Sequence, residues 1–136
     1  MTAKEYLSQA RLLDARINAK IQQVADLNDL ATHATATLTG MPRNPNRSES
    51  RMAEAVVKIV DLQNEINHDI DELVDLKREI VGVIKRIDNP EYQTLLELRY
   101  LCFKSWEQIA VDMGYELRWL YRLHHRALDA VSEISH

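Results

Sequence analysis

Apolar residues recur at three- and four-residue spacing along most of the chain, which is the pattern of amphipathic α-helices. The first run extends over 3–31, with Lys20 interrupting its apolar track, and fades in THATATLTG. The β-branched threonines of that stretch lower helix propensity. The next stretch, GMPRNPNRSES, contains two prolines and several turn formers, and it predicts a loop at 40–50.

The longest predicted element is a second helix over 50–87. Its main apolar seam is interrupted by Gln63 and Lys77, and a flanking heptad track is interrupted by Asp69. The seam consists of Met52, Val56, Ile59, Ile66, Ile70, Leu73, Ile80, Ile84 and Ile87. Such a helix would be roughly 57 Å long, and its wide apolar face requires a partner. We expect an antiparallel, coiled-coil-like hairpin with the first helix, and a homo-oligomer because the shorter first helix leaves part of the seam uncovered.

Composition narrows the class of protein. The 136 residues carry a net charge of -4, with 28% charged and 46% apolar residues, which fits a folded helical chain. No apolar run is long enough to span a bilayer, and the N-terminus lacks the pattern of a signal peptide. A single cysteine, Cys102, cannot form an internal disulfide. These features together predict a cytoplasmic protein with no membrane partner.

Aromatic residues divide the chain into two parts. Of the eight Phe, Trp and Tyr residues, only Tyr6 precedes Ile87. The interpretation is a long helical portion over 1–87, responsible for oligomerisation, and a compact module over 88–136. The fold class expected from the whole pattern is all-α.

The module begins with clear helix-start signals. Asn89 is placed to cap a helix whose first residue is Pro90, where the missing N–H costs nothing. A second start follows at Ser105, with Gln108 three residues later, which is the spacing of a capping box. The resulting short helix is expected over 106–113 and is followed by a glycine.

The spacing after Ser105 is typical of a helix-turn-helix. Ala110 is small where two helices cross, and Gly114 stands at the turn, where only glycine adopts left-handed dihedrals freely. Leu120, ten residues after Ala110, is the core anchor of the second helix. The remaining apolar positions of the motif are occupied by Ile109, Met113, Tyr115 and Leu123.

The final helix separates an apolar face from a cationic one. Its core face is predicted to contain Leu120, Leu123, Ala127, Val131 and Ile134. The opposite face carries Arg118 and Arg122, and no acid occurs between residues 117 and 128. Arginine can contact guanine O6 and N7 or hold a phosphate. The predicted contacts to double-stranded DNA are Arg118, Arg122, Tyr121, His125, Arg126 and Lys104, the last two to phosphates.

The stretch LLELRYLCFKSWEQIAVDMGYELRWLYRLHHRAL resembles the region-four-like helix-turn-helix of bacterial sigma factors. The whole chain resembles small phage and prophage transcriptional regulators of the ArpU and RinA type, most specifically over 89–131 and more loosely upstream. This resemblance implies sequence-specific DNA binding in transcription control, with RNA polymerase as a further partner. Sigma-like modules place Ser or Thr at the start of the recognition helix, whereas this chain has Glu116, whose carboxylate repels phosphate.

Two functions from other classes fit the same residues. One is a DNA-packaging role, as in phage small terminase subunits, where a DNA-binding motif joins an oligomeric helical core. The other is an interaction protein whose helix-turn-helix binds RNA polymerase or another protein and not DNA. Trp106 and Trp119 are open to two interpretations as well, since they can stack on nucleic acid or fill the module core.

Chemical motifs elsewhere are incomplete. Glu65 and His68 have the Glu-x-x-His spacing of di-iron bundles, but a second copy and two more glutamates are missing. An acidic cluster on the second helix lacks a matching set on the first helix, and Cys102 has no base arranged beside it. We therefore expect no catalysis, no cofactor and no metal.

Overall fold

The computed structural model describes residues 1–38 and 45–134, with side chains described over 1–33 and 50–134. The described residues form helices and no strand, which confirms the all-α class. The elements are α1 (Ala3–Leu38), α2 (Pro45–Lys85), α3 (Pro90–Leu96), a π-helical segment (Glu97–Leu101), α4 (Trp106–Met113) and α5 (Leu117–Ile134).

Both long helices extend further than their sequence patterns predicted. α1 continues to Leu38, because the cost of threonine in a helix is only tenths of a kcal/mol, and the Thr32 hydroxyl donates to the Asn28 carbonyl at 2.9 Å. α2 begins at Pro45, whose fixed φ suits a first helical turn. The predicted loop is therefore wrong over 45–50, and its preceding part lies outside the described residues.

The chain packs into two compact units, Met1–Asp14 with Glu72–His136, and Ala15–Asp71. Each long helix contributes to both units. The division into 1–87 and 88–136, drawn from composition, stays a prediction. In the packing units, the first turns of α1 and the end of α2 are grouped with residues 88–136.

In the unit formed by Ala15–Asp71, α1 and α2 run antiparallel. Lys20 of α1 contacts Asp69 at 2.5 Å and Glu65 at 3.7 Å on α2. The side chains of Lys20 and Asp69 are only 16% and 8% exposed. Thus the two polar interruptions noted in separate apolar tracks pair with each other. The hydrogen bond from Lys20 lowers the pKa of the Asp69 carboxyl.

The other unit contains two hydrophobic cores. The first is formed by the start of α1, the end of α2, α3, the π-helical segment and the second half of α5. Its buried members are Leu7, Ala10, Ile80, Ile84, Ile87, Leu96, Tyr100, Ala127 and Val131. Gln93 ties α3 to the end of α2, because its side-chain amide donates to the Ile87 carbonyl at 2.6 Å.

The second core is that of the helix-turn-helix. Its buried members are Leu95, Ile109, Ala110, Leu120 and Leu123. Met113 and Tyr115 pack against them from the rim. The core positions predicted from the spacing around Gly114 are therefore confirmed.

The starts of α3 and α4 agree with the sequence signals. Asn89 Oδ1 accepts from the backbone N–H of Glu91 at 2.9 Å, with Pro90 as the first residue of α3. Ser105 Oγ accepts from the Gln108 N–H at 3.2 Å, as predicted. The reciprocal half of that capping box is not made, because the Gln108 side chain donates to an aspartate one turn further along α4.

A reciprocal capping box occurs instead at the start of α1, where none was predicted. The Glu5 N–H donates to Thr2 Oγ1 at 3.2 Å, and the Thr2 N–H donates to the Glu5 carboxylate at 3.1 Å. The Thr-x-x-Glu spacing carried this signal.

Two left-handed residues bracket α4. Phe103 has a φ of 59° before the helix, and Gly114 has a φ of 73° after it. The Tyr115 N–H then donates back to the Ala110 carbonyl at 3.0 Å, which closes the C-terminus of α4. The turn between α4 and α5 therefore depends on a backbone conformation that glycine adopts without strain.

Gly114→Ala is expected to lower the free energy of unfolding by about 1–2 kcal/mol, the cost of left-handed dihedrals for an L-residue. Apart from its neighbours in sequence, no atom of the described residues lies within 4 Å of a Cβ placed at Gly114, so the loss isolates backbone strain from crowding. The matched control is Gly82→Ala within α2, where the new Cβ also meets nothing within 4 Å. Helix propensity predicts that this control gains up to about 1 kcal/mol. Urea denaturation measures the free energy of unfolding of both variants. Equal changes in the two variants would contradict the idea that the left-handed backbone at residue 114 causes the loss.

Asp69→Asn is expected to flatten the acid dependence of stability. The pKa of Asp69 is lower in the folded protein than in the unfolded chain, where it is about 3.9. The contact with Lys20 therefore stabilises the fold fully at pH values above the unfolded pKa. The contribution is lost as the pH falls through the lower, folded pKa. Urea midpoints followed from neutral pH to pH 3 should fall less steeply in the variant than in the wild type. Asp71→Asn, at an exposed aspartate of the same helix, serves as the control and should behave like the wild type.

Candidate nucleic-acid interface

α5 presents two faces of opposite character. Leu120, Leu123, Ala127 and Val131 are 0–3% exposed, which confirms the predicted core face. Ile134 is half-buried against the core that contains Ala127 and Val131. Their burial fixes the rotation of the helix about its axis and turns the opposite face outward.

The opposite face carries the predicted arginines. Arg118, Arg122 and His125 are all exposed. Within the described part of the chain, no carboxylate comes within ion-pair distance of the Arg118 or Arg122 guanidinium. The guanidinium N–H groups of both arginines thus face solvent and form no ion pair with the described carboxylates.

Tyr121, His125 and Arg126 adjoin this face. Together with Arg122 they line one shallow depression on α5. The Arg126 guanidinium lies 5.6 Å from the centre of the Trp119 ring, which is 39% exposed. The structure therefore brings four of the six predicted contacts together on one continuous surface.

Lys104 differs from the other predicted contacts because it has an internal partner. Its Nζ lies 2.7 Å from Asp112 on α4, and this hydrogen bond raises the pKa of Lys104 while lowering that of Asp112. Gln108 donates to the second oxygen of the same carboxylate at 2.8 Å. The charge of Lys104 is largely balanced within the protein, which weakens its case as a phosphate ligand.

Trp106 packs against the inner side of α5. Its ring meets Tyr121 edge-on at 5.4 Å and His124 at 4.6 Å. The Arg99 guanidinium covers it at 4.5 Å and also donates to the Lys104 carbonyl at 2.9 Å. Trp106 is thus part of the module core, one of the two interpretations that the sequence left open.

His124 is the buried neighbour of exposed His125. It is 8% exposed, and its Nε2 lies 2.6 Å from the Tyr100 hydroxyl. Burial, helped by the charges of Lys4 and Arg99, lowers the pKa of His124 to about 4. The ring is therefore neutral at physiological pH and serves as a hydrogen-bonding element between α5 and the π-helical segment.

Sequence reasoning missed the supporting residues around α5. Arg99 and Tyr100 stand in a predicted helix with no sign of their partners, and Lys4 lies about 120 positions from the histidine it influences. Local patterns carry no signal for such contacts, because they depend on which helices pack together.

The buried histidine predicts an acid-dependent loss of stability. Its folded pKa of about 4 lies below the ordinary value of 6.5, so the unfolded state binds the proton more readily. Stability should therefore fall as the pH drops from 6.5 towards 4. His124→Phe should remove this part of the pH dependence in chemical denaturation, whereas His125→Gln, at the exposed neighbour, should retain it. A His124→Phe variant that keeps the wild-type dependence of stability on pH would contradict the assignment.

Comparison with known proteins yields one family. The family model described as "Protein of unknown function (DUF1492)" matches residues 48–132, which is more than half of the chain. Searches of curated proteins and of solved structures found no match. In the part of the chain that the structure describes, no helix is long and apolar enough to cross a membrane, and no three metal-ligating side chains cluster. The chain belongs to the family of proteins of unknown function DUF1492.

Proposed function

We propose that this protein is a sequence-specific DNA-binding transcriptional regulator of phage or prophage genes, with α5 as its recognition helix. The observation that carries the proposal is the orientation of α5. Leu120 and Leu123 are buried, while Arg118 and Arg122 are exposed and have no carboxylate at ion-pair distance among the described residues.

The dimensions and chemistry of α5 suit the major groove of DNA. The groove is about 12 Å wide and admits one α-helix. Arginine side chains on the exposed face can then make bidentate hydrogen bonds to guanine, and Arg126 can hold a phosphate. Tyr121 and His125 flank Arg122 in the same depression and would meet the adjoining base edges or sugars.

The distribution of charge also supports this function. The chain carries a net charge of -4, but residues 117–128 contain arginines and histidines and no acid. A negative total charge limits nonspecific attraction to DNA, whereas a local cationic face supplies it where the helix docks. Glu116 at the start of α5 would keep phosphates away from that end, so the helix would approach the backbone through its later residues.

A protein partner is the second candidate, and RNA polymerase is the one that the sigma-like resemblance suggests. It is favoured by exposed apolar side chains on the helix-turn-helix, where Val111 is 76%, Trp119 39% and Leu117 37% exposed. A module that binds only protein would show no salt-dependent retention on DNA. A packaging protein would instead assemble into a large ring of high mass.

Arg122→Ala tests the proposal directly. On a DNA fragment selected by binding, the variant should lose about 1–3 kcal/mol of binding free energy if Arg122 reads a base. Fluorescence anisotropy against the selected and a scrambled fragment measures both affinity and discrimination.

Arg86→Ala, at an exposed arginine outside the helix-turn-helix, is the matched control and should bind like the wild type. If only the salt dependence changes in Arg122→Ala, the residue contacts a phosphate. Equal wild-type affinity for the selected and scrambled fragments would reject sequence-specific regulation.

A further inference from the structure

α2 carries a second apolar face besides the one that it buries. Besides Val57 (59%), which projects elsewhere, four of its β-branched residues are about half exposed: Val56 (52%), Val60 (48%), Ile70 (42%) and Val74 (48%). With two exposed amides between them they form a regular series at alternating spacings of four and three residues, which places them on one side of a helix. This α2 stripe consists of Val56, Val60, Gln63, Asn67, Ile70 and Val74.

The stripe is separate from the packed face of α2. At 100° per residue, its centre lies roughly 90° around the helix from the line of Ile66, Ile80 and Ile84, which are 0–9% exposed. Residues on the packed face are covered within the protein, whereas those of the stripe are left half exposed. Four such side chains along roughly 27 Å of helix expose a few hundred Å² of apolar surface, the size at which patches mark interaction sites.

The order of residues in the stripe makes it complementary to itself. Its spacing reads the same from both ends, and the two amides occupy the centre. When a second α2 lies antiparallel, Val56 faces Val74 of the second copy, Val60 faces Ile70, and Gln63 faces Asn67. Apolar side chains then meet apolar ones, and the central amides can hydrogen-bond to each other.

A parallel arrangement is less favourable because of the next residue in the series. Lys77 follows Val74 at the same spacing, and parallel helices would bring two copies of it face to face. In the antiparallel arrangement, Lys77 lies opposite the small Ala53. Its Nζ already lies 4.6 Å from the centre of the Phe103 ring, which holds the charge beside its own module.

We infer that the α2 stripe is a homodimerisation surface, on which α2 of a second copy packs antiparallel around the Gln63–Asn67 layers. The partner is thus another molecule of this chain, related by a two-fold axis that crosses α2 near residue 65. A stable dimer buries about 800 Å² per partner, which is more than the apolar surface of the stripe alone. The stripe therefore forms the apolar centre of the interface, and the side chains that flank it form the rim. This inference does not depend on DNA binding.

Oligomeric state tests the surface. Light scattering of the full chain should give twice the chain mass of 15.8 kDa, falling to the monomer on dilution. Val60→Asp should be monomeric at the concentration where the wild type is dimeric, with unchanged helix content because Val60 is exposed. Val111→Asp, at a more exposed valine outside α2, should remain dimeric. A monomeric wild type, or a dimeric Val60→Asp, would overturn the inference.

Cysteine cross-linking tests the orientation. In a Cys102→Ser background, Val60→Cys and Ile70→Cys chains should form a disulfide only when the two variants are mixed. Antiparallel copies of residue 60 are separated by roughly 15 Å along the helix axis, beyond the roughly 7 Å between Cα atoms that a disulfide can span. Efficient cross-linking of either variant alone would show parallel pairing and overturn the antiparallel arrangement. DNA binding is measured separately, so its failure leaves both tests intact.

Discussion

Burial of one face of α5 is the constraint on which the candidate site depends. Leu120 and Leu123 are held in the core of the helix-turn-helix, and Ala127 and Val131 are held in the core shared with α1 and α2. One helix is thus packed into two separate cores at different points along its length. A helix held in this way cannot rotate, and the side on which its arginines project is set by packing and not by the arginines themselves.

The same packing explains why polar groups accumulate just behind the cationic face. His124 and Tyr100 share a buried hydrogen bond, and Trp106 lies between Arg99 and α5. An unpaired polar group at such a position would cost about 1–3 kcal/mol, and His124 and Tyr100 avoid this cost by bonding to each other. The result is a packed layer that fixes the position of the α5 backbone beneath the exposed residues.

Local patterns predicted most of the fold, because periodicity, capping residues and one glycine are local signals. The helix-turn-helix core around Gly114 and the start of α3 at Asn89 were readable in this way. Pairings between distant residues were not readable. Lys20 and Asp69 each stood out as an interruption, but only the register between α1 and α2 makes them one ion pair. The partnership of Lys104 with Asp112 likewise depends on the turn between helices.

Leu7 and Ala10 share a core with Ala127 and Val131, so the opening turns of the chain pack against its closing helix. Contacts between residues so far apart in sequence require closure of a very long loop, which slows folding. During synthesis on the ribosome, the first helical turns emerge long before their neighbours exist. They join Ala127 and Val131 in one core only after those residues have been made. The core that holds the second half of α5 is therefore complete only once residues far apart in the sequence have come together.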